Sequence, residues 1–496
     1  MKNFKIGLIT AVMGLSLITS CKKLDLFPAN RIALDKAFTS VNDAKAWDNG
    51  IYSSFRGRQY GLYMFSTDIQ ADQLNASLDY GNRNGNPHRW GTFFLSDDYT
   101  IRDTWFGYYT AIRDLNVALE GYPSVPTPTP ADVTTMNVYK GNAHFARAYY
   151  YFQLVNRFAK AYNPSTAATD LGVPLVLTYN VNLSPVRASV AAVYTQIQTD
   201  IAAAKTFLAG KTGAQGATTF TIDAVNALDA RVKLFKQDWA GAYTAANALR
   251  TSATYPLYTT ATGLTNYWLN DAKQEDIMQC LVIKPNELPN VNSVYLGLVA
   301  ATGKFTPDFI PSQWVVDAYD ATDLRKGVYF ASKACTIQGA SYTLTLVNKY
   351  AGNPLLFTGT LTNYAQAPKV FRIAEMYLIA AEAAANNGSD ANAIAALNAL
   401  RAARGLAAVS SSGAQLKQDI KDERFRELAF EGFRLDDLKR WNLGFTRSAP
   451  QNLNTITVAP LTFNVLSIAA GDNKFVWGIP ANDITINPNL VQNTGW

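Results

Sequence analysis

Ala374-Glu375-Met376-Tyr377-Leu378-Ile379-Ala380-Ala381-Glu382-Ala383-Ala384-Ala385, then Asn387-Gly388-Ser389-Asp390, then Ala391 to Arg401, reads as two helices folded back across a short polar turn. Small residues at the facing positions let two antiparallel helices pack closely. An earlier stretch has the same plan. Asn226 to Phe235 carries Leu228, Ala230, Val232, Leu234 and Phe235, Asp238-Trp239 turns the chain, and Ala240 to Arg250 carries Ala242, Ala245, Ala246 and Leu249. Leu228 to Leu249 and Leu378 to Leu400 span nearly the same distance, and each pair ends in Leu-Arg. Hairpins of this tetratricopeptide-like kind stack to share one core. The two pairs lie far apart in sequence, so inserted, loop-rich material must interrupt the array.

Working outward, Asp43 to Phe55 and Asp103 to Leu119 have helical periodicity, the second through Trp105, Tyr108, Tyr109, Ile112, Leu115 and Leu119. Pro123, Pro126, Pro128 and Pro130 break the chain, and a long helix is expected from near Asp132 to about Phe158. Leu171 to Leu177 reads as extended, and Ser189 to Leu208 as a further helix. Residues 252 to 360 are rich in Thr, Gly, Asn and Tyr, with only short apolar runs, which predicts short strands and loops. The expectation is a mostly α protein whose single body spans 31–496. Its helical scaffold lies mainly in 31–250 and 363–442, with a loop-rich insertion at 251–362 and a C-terminal loop segment at 443–496.

The N-terminus carries an address. Lys2 and Lys5 precede an apolar run from Ile6 to Ile18, and Thr19-Ser20-Cys21 follows. A positive start, an apolar middle and small residues before the cleavage point make a secretory leader over 1–20. Ile18-Thr19-Ser20-Cys21 is similar to a bacterial lipobox, in which cysteine becomes the first residue and carries lipid. An ordinary leader with a chance cysteine is the competing reading. Residues 21–30 would then be a lipid-anchored tether. No later apolar run reaches the roughly 20 residues that a membrane helix requires.

The 496 residues are 48% hydrophobic and 17% charged, with a net charge of +6, too mild and scattered to suit nucleic acid. Two histidines, His88 and His144, lie far apart, which argues against a histidine-rich metal centre. Asp97-Asp98 is the only hint of calcium, and two adjacent acids carry little weight. Cys280 and Cys335 are left for a disulfide or for two buried thiols, and the sequence leaves that open.

Lys417 to Trp441 holds the densest charge, and is expected to be helical. Glu423, Glu427 and Glu431 recur every four residues, so three carboxylates would share one face, at a repulsive cost if alone. A carboxylate metal bundle would need a Glu-x-x-His partner, and a glycosidase pair needs one buried acid facing another across a cleft. Arginines lie three residues from each acid instead: Arg426 for Glu423, Arg424 for Glu427, Arg434 for Glu431. An ionic ladder clamping neighbouring helices is the favoured reading.

Phe371 to Ala383, Leu397-Asn398-Ala399-Leu400-Arg401, Glu423-Arg424-Phe425-Arg426-Glu427-Leu428-Ala429-Phe430-Glu431-Gly432-Phe433-Arg434 and Asp437-Leu438-Lys439-Arg440-Trp441 together resemble the signatures of the SusD/RagB family. These are outer-membrane nutrient-binding lipoproteins of Bacteroidota. The chain departs from the family pattern at Asn142-Ala143, where Glu is usual, and at Lys22-Lys23, where acids often follow the lipid cysteine. The resemblance implies four tetratricopeptide-like helix pairs supporting a variable, loop-rich ligand face, no catalysis, and no cofactor. It also implies a place on the cell exterior over a SusC-like TonB-dependent transporter, which receives an oligosaccharide or, in some members, a peptide.

Sugar binding asks for flat aromatic faces beside amides, carboxylates and guanidinium groups on open loops. The segment Leu78 to Trp90 has that composition, and family members often build their site partly from this region. Tyr80, Asn82, Arg83 and Trp90 are the primary ligand-binding candidates. Tyr267, Trp268, Tyr295 and Trp314 of the insertion are secondary, and the competing reading for each is packing beneath a loop or against the transporter. A helical glycoside hydrolase is the reading furthest from these residues.

Overall fold

The computed structural model describes residues 36–457 and 467–496, so the leader, the tether and Cys21 lie outside the described residues. Its scaffold is an ordered stack of helices. Val41–Arg56 and Tyr99–Gly121 pack on Pro130–Phe158, which lies along Val190–Phe207. Ile222–Phe235 folds back on Trp239–Arg250, which packs on Ile373–Asn386, and that helix folds back on Asp390–Ala403.

Local chemistry sets the boundaries. Asp238 accepts the Gly241 N–H at 3.0 Å and caps Trp239–Arg250. The long helix begins at Pro130 rather than near Asp132. Proline is tolerated in a first turn because that N–H has no helical partner, and Thr129 and Asp132 form a reciprocal capping box around it.

Lys417 to Trp441 is two helices, Gly413–Leu428 and Arg434–Arg440, not one. Phe430 (φ 64°) and Gly432 (φ 83°) are both left-handed, which ends the first helix. A Cβ on Gly432 would lie 2.6 Å from the Met64 carbonyl oxygen, so this turn needs glycine for space as well as conformation.

The insertion is closed at its base by an antiparallel ladder between Asp276–Gln279 and Lys369–Arg372, where Met278 faces Phe371. Within it, Phe330–Ile337 and Ala340–Val347 form a hairpin in full register, the long part of a four-stranded sheet. Ala261–Leu269 is a helix inside a stretch read as strand and loop.

A buried ionic cluster joins insertion to scaffold. Glu427 accepts from Arg325 (3.0 Å), Arg404 (3.0 Å) and Arg372 (2.8 Å). Glu423 is held by Arg325, Arg401 and Arg426, and Glu431 by Arg372 and Lys349. The ladder is therefore real: the expected Glu423–Arg426 pair forms, and the other two expected pairs do not. Arg424 pairs with Asp437, and Arg434 with Asp72, because the helix break carries Glu431 and Arg434 away from a shared face. Burial opposes ionisation of Glu427, yet Arg404, Arg372 and Arg325 outweigh it and hold the carboxyl well below its ordinary range.

Other buried acids go the opposite way. Burial pushes Asp68 up to about 7, against the Gly432 N–H it accepts, and pushes Asp276 up to about 6. An acid raised in the fold contributes stability that is present below its unfolded value, near 4, and lost as pH rises through its folded value. Each tenfold difference in acidity between the folded and unfolded chain is worth about 1.4 kcal/mol. The depressed glutamates contribute stability above about pH 4.3 that is lost as pH falls. Denaturant unfolding across pH 3 to 8 should therefore show falling stability on both sides of a maximum near pH 5. Asp68→Asn, which keeps an acceptor for Gly432, should flatten the decline from pH 5 to 7. An unchanged slope in that variant would contradict the assignment.

Cys280 and Cys335 are both buried and unpaired, and burial pushes their thiols up to about 12 and about 11. No helix among the described residues is long and apolar enough to cross a membrane.

Candidate functional site

The loop from Leu78 to Trp90 folds as its Gly and Asn content dictates. Gly81, Asn82 and Asn84 are all left-handed, a conformation open mainly to these residue types. A Cβ on Gly85 would sit 2.2 Å from the Asn82 amide oxygen and 2.7 Å from the Arg89 guanidinium, so only glycine lets the loop close this tightly.

Arg89 is the hub. Its guanidinium donates to the Tyr80 hydroxyl at 2.6 Å, to the Asn86 amide oxygen at 2.6 Å, and to the Asn82 amide oxygen. Arg83 donates through Nε to Asp308 at 2.7 Å and through Nη2 to the second oxygen of the same carboxylate, tying the loop to the insertion. Its side chain remains 61% exposed, so the guanidinium is fixed in direction and still open to solvent. Asp308 feels burial most, which raises it, while Arg83 draws it back. The hairpin tip reaches the same loop, where the Gln338 N–H donates to Asp79 at 2.8 Å.

One exposed aromatic ring, Tyr99, lies next to these groups. The Tyr99 hydroxyl donates to the Asn84 amide oxygen at 2.8 Å and accepts the Asn84 N–H at 2.6 Å, and Tyr99 is 40% exposed. Phe106, seven residues on and on the same helical face, is 70% exposed, and Phe93 in the preceding loop is 76% exposed. The periodicity of this helix points to its buried stripe and not to Tyr99 or Phe106. The available signal is an aromatic residue lying off the stripe.

Of the primary candidates, Tyr80, Asn82 and Arg83 come together, although Tyr80 is largely buried and edge-on to Phe309. Trp90 does not join them. Its Nε1–H donates to the Gln70 carbonyl at 2.6 Å and its ring packs against Phe445 and Phe475. The secondary candidates are elsewhere again. Tyr267 is fully buried with its hydroxyl donating to Asp276, and Trp268 is buried among Tyr267, Tyr329 and Tyr350. Lys349 (4.7 Å), Arg372 (5.2 Å) and Lys369 (5.6 Å) surround the Trp268 ring. Tyr295 is buried edge-on to Phe430, and Trp314 is half-buried and stacked on Phe425. These four belong to a core that the insertion shares with the scaffold, where Met64, Ile69, Leu74, Phe425 and Phe430 join them, and which the loop-like composition of the segment concealed.

Asp97 and Asp98 are used structurally: Asp97 accepts the Ala481 N–H, and Asp98 caps Tyr99–Gly121 and accepts from Asn86. Among the described residues, no group of three or more His, Cys, Asp or Glu side chains is arranged to hold a metal ion.

Comparison with known proteins agrees with this architecture. Residues 301–496 match a model described as SusD family, and residues 39–234 match one described as starch-binding associating with outer membrane. The chain is SusD/RagB-like. A SusD-like protein of Formosa agariphila is 24% identical, with 99% of each chain covered. A SusD superfamily structure from Bacteroides thetaiotaomicron superposes with a TM-score of 0.77 at 23% identity, covering 92% of this chain and 100% of that one. A laminarin-binding SusD-like protein gives a TM-score of 0.70 at 22% identity, covering 92% and 100%. The helical fold is thus the SusD-like fold.

Proposed function

We propose that this chain binds glycans at the outer membrane without cleaving them and delivers them to a SusC-like TonB-dependent transporter. The observation that carries this reading is the exposed ring of Tyr99, held by Asn84 in the loop that also carries Asn82 and the anchored guanidinium of Arg83. An aromatic ring offers an apolar plane for the C–H face of a pyranose, and amide and guanidinium groups bind its hydroxyls. The matched family description and the laminarin-binding neighbour support a glycan as the ligand. The three glutamates that would have been candidate acids are neutralised by arginine and lysine, which supports capture over hydrolysis. In this reading residues 1–20 are the leader, Cys21 carries the lipid, and the body faces the cell exterior.

Calorimetry on a panel of soluble glycans that includes laminarin tests this, with a peptide library alongside. Tyr99→Ala is expected to weaken glycan binding about tenfold, the ~1.4 kcal/mol that one aromatic face contributes. Tyr99→Phe keeps the ring and should retain most of the affinity. Binding to peptides and to no glycan would select the peptide alternative, and release of reducing ends would select hydrolysis.

A further inference from the structure

A second cleft, of about 820 Å³, lies between the loop at 160–171, the end of Arg434–Arg440, the turn at 471–476 and the C-terminal tail at 492–494. Nothing from the 78–106 face lines it. We propose that this cleft is a separate binding site for a neutral, hydroxyl-rich ligand of mono- to disaccharide size.

The cations in its wall are satisfied internally, while the exposed Asp472 carboxylate accepts the Lys474 N–H and forms no salt bridge among the described residues. Lys160 pairs with Asp170 at 2.8 Å. Lys439 donates its ammonium protons to the Asn156 and Ala159 carbonyls. Arg440 is held by Asp437 and Glu382. An anionic ligand would find no unpaired cation there and would meet the Asp472 carboxylate.

The amides are in the reverse condition. Asn442 and Asn473 line the cleft, and among the described residues neither side chain makes a hydrogen bond. Gln237 donates to the Tyr162 carbonyl at 2.9 Å, which leaves its amide oxygen open to a donor. An amide presents two donors and an acceptor, the complement of a hydroxyl that both donates and accepts. Tyr162, partly exposed at the rim, adds an aromatic surface. Asn442 and Gln237 are both left-handed, at φ 53° and 62°, so the backbone holds these two amides at the rim in a conformation that costs energy for non-glycine residues. The volume lies within the range of small-molecule sites.

The site stands apart from the exposed aromatic face, and the experiment separates the two. Maltose, cellobiose and laminaribiose are titrated by saturation-transfer NMR, with glucuronate as the charged control, against the wild type, Tyr99→Ala, and the double variant Asn442→Gly with Asn473→Ala. Glycine suits the left-handed position 442, and a thermal melt checks folding. The proposal expects a neutral disaccharide to bind with an affinity that falls at least tenfold in the double variant and is unchanged in Tyr99→Ala. It is overturned if none of the three disaccharides binds at millimolar concentration, if the double variant binds like the wild type, or if glucuronate binds as well as the neutral sugars. A loss in Tyr99→Ala alone would overturn the second site and leave the first intact.

Discussion

Glu427→Gln is expected to lower the unfolding free energy by about 3–5 kcal/mol, the usual cost of breaking a buried charge network by removing one partner. Arg325, Arg372 and Arg404 all converge on this carboxylate, and all four side chains are buried. Glutamine preserves the shape but removes the charge that three guanidinium groups share. All three have other acids: Arg404 has Glu275, Arg372 has Glu431 and Arg325 has Asp323 and Glu423, so the loss should fall short of complete unfolding. Urea titration at pH 7 measures it. A change below about 1 kcal/mol would mean that the cluster is far less important to the fold than its geometry implies.

Trp268→Ala has a comparable expected effect, about 3–5 kcal/mol of stability, with glycan affinity of the folded protein unchanged. The ring is buried in the core that the insertion shares with the scaffold, and three cations approach it, so its removal leaves a cavity beside buried charge. A variant that stays as stable as the wild type yet loses glycan binding would return Trp268 to the ligand site. Denaturant unfolding and calorimetry on the same preparation distinguish the outcomes.

The scaffold was legible because periodicity is a local property. Leu228 to Leu249 and Leu378 to Leu400 announce hairpins by spacing alone, and helix pairs stand at both places. Partners in the ionic cluster were not legible, because Arg325, Arg372 and Arg404 reach Glu427 across long stretches of chain. The break after Leu428 hides in two residues, Phe430 and Gly432, whose left-handed backbone overrides a helix-compatible pattern of charges. The candidate site divided along the same line. Asn82 and Arg83 sit in a loop whose Gly and Asn residues fix its shape locally. Tyr267, Trp268 and Tyr295 have the same apparent context, but the insertion packs with the scaffold around a common core, and composition does not tell a loop over solvent from a loop around a core.

That shared core bears on how such a chain can diversify. The insertion leaves and re-enters the scaffold across one short ladder, Asp276–Gln279 against Lys369–Arg372, which gives it the outline of an exchangeable cassette. Yet Arg325 lies within the cassette while Glu423 and Glu427 lie outside it. A lineage that swapped the whole segment for another would take a shared cation from two buried acids unless the newcomer brought its own to the same place. An exposed turn such as Thr358-Gly359-Thr360 carries no such obligation. Descent can therefore redraw the ligand face at its tips freely, while the root of the cassette is inherited together with the helices that hold it.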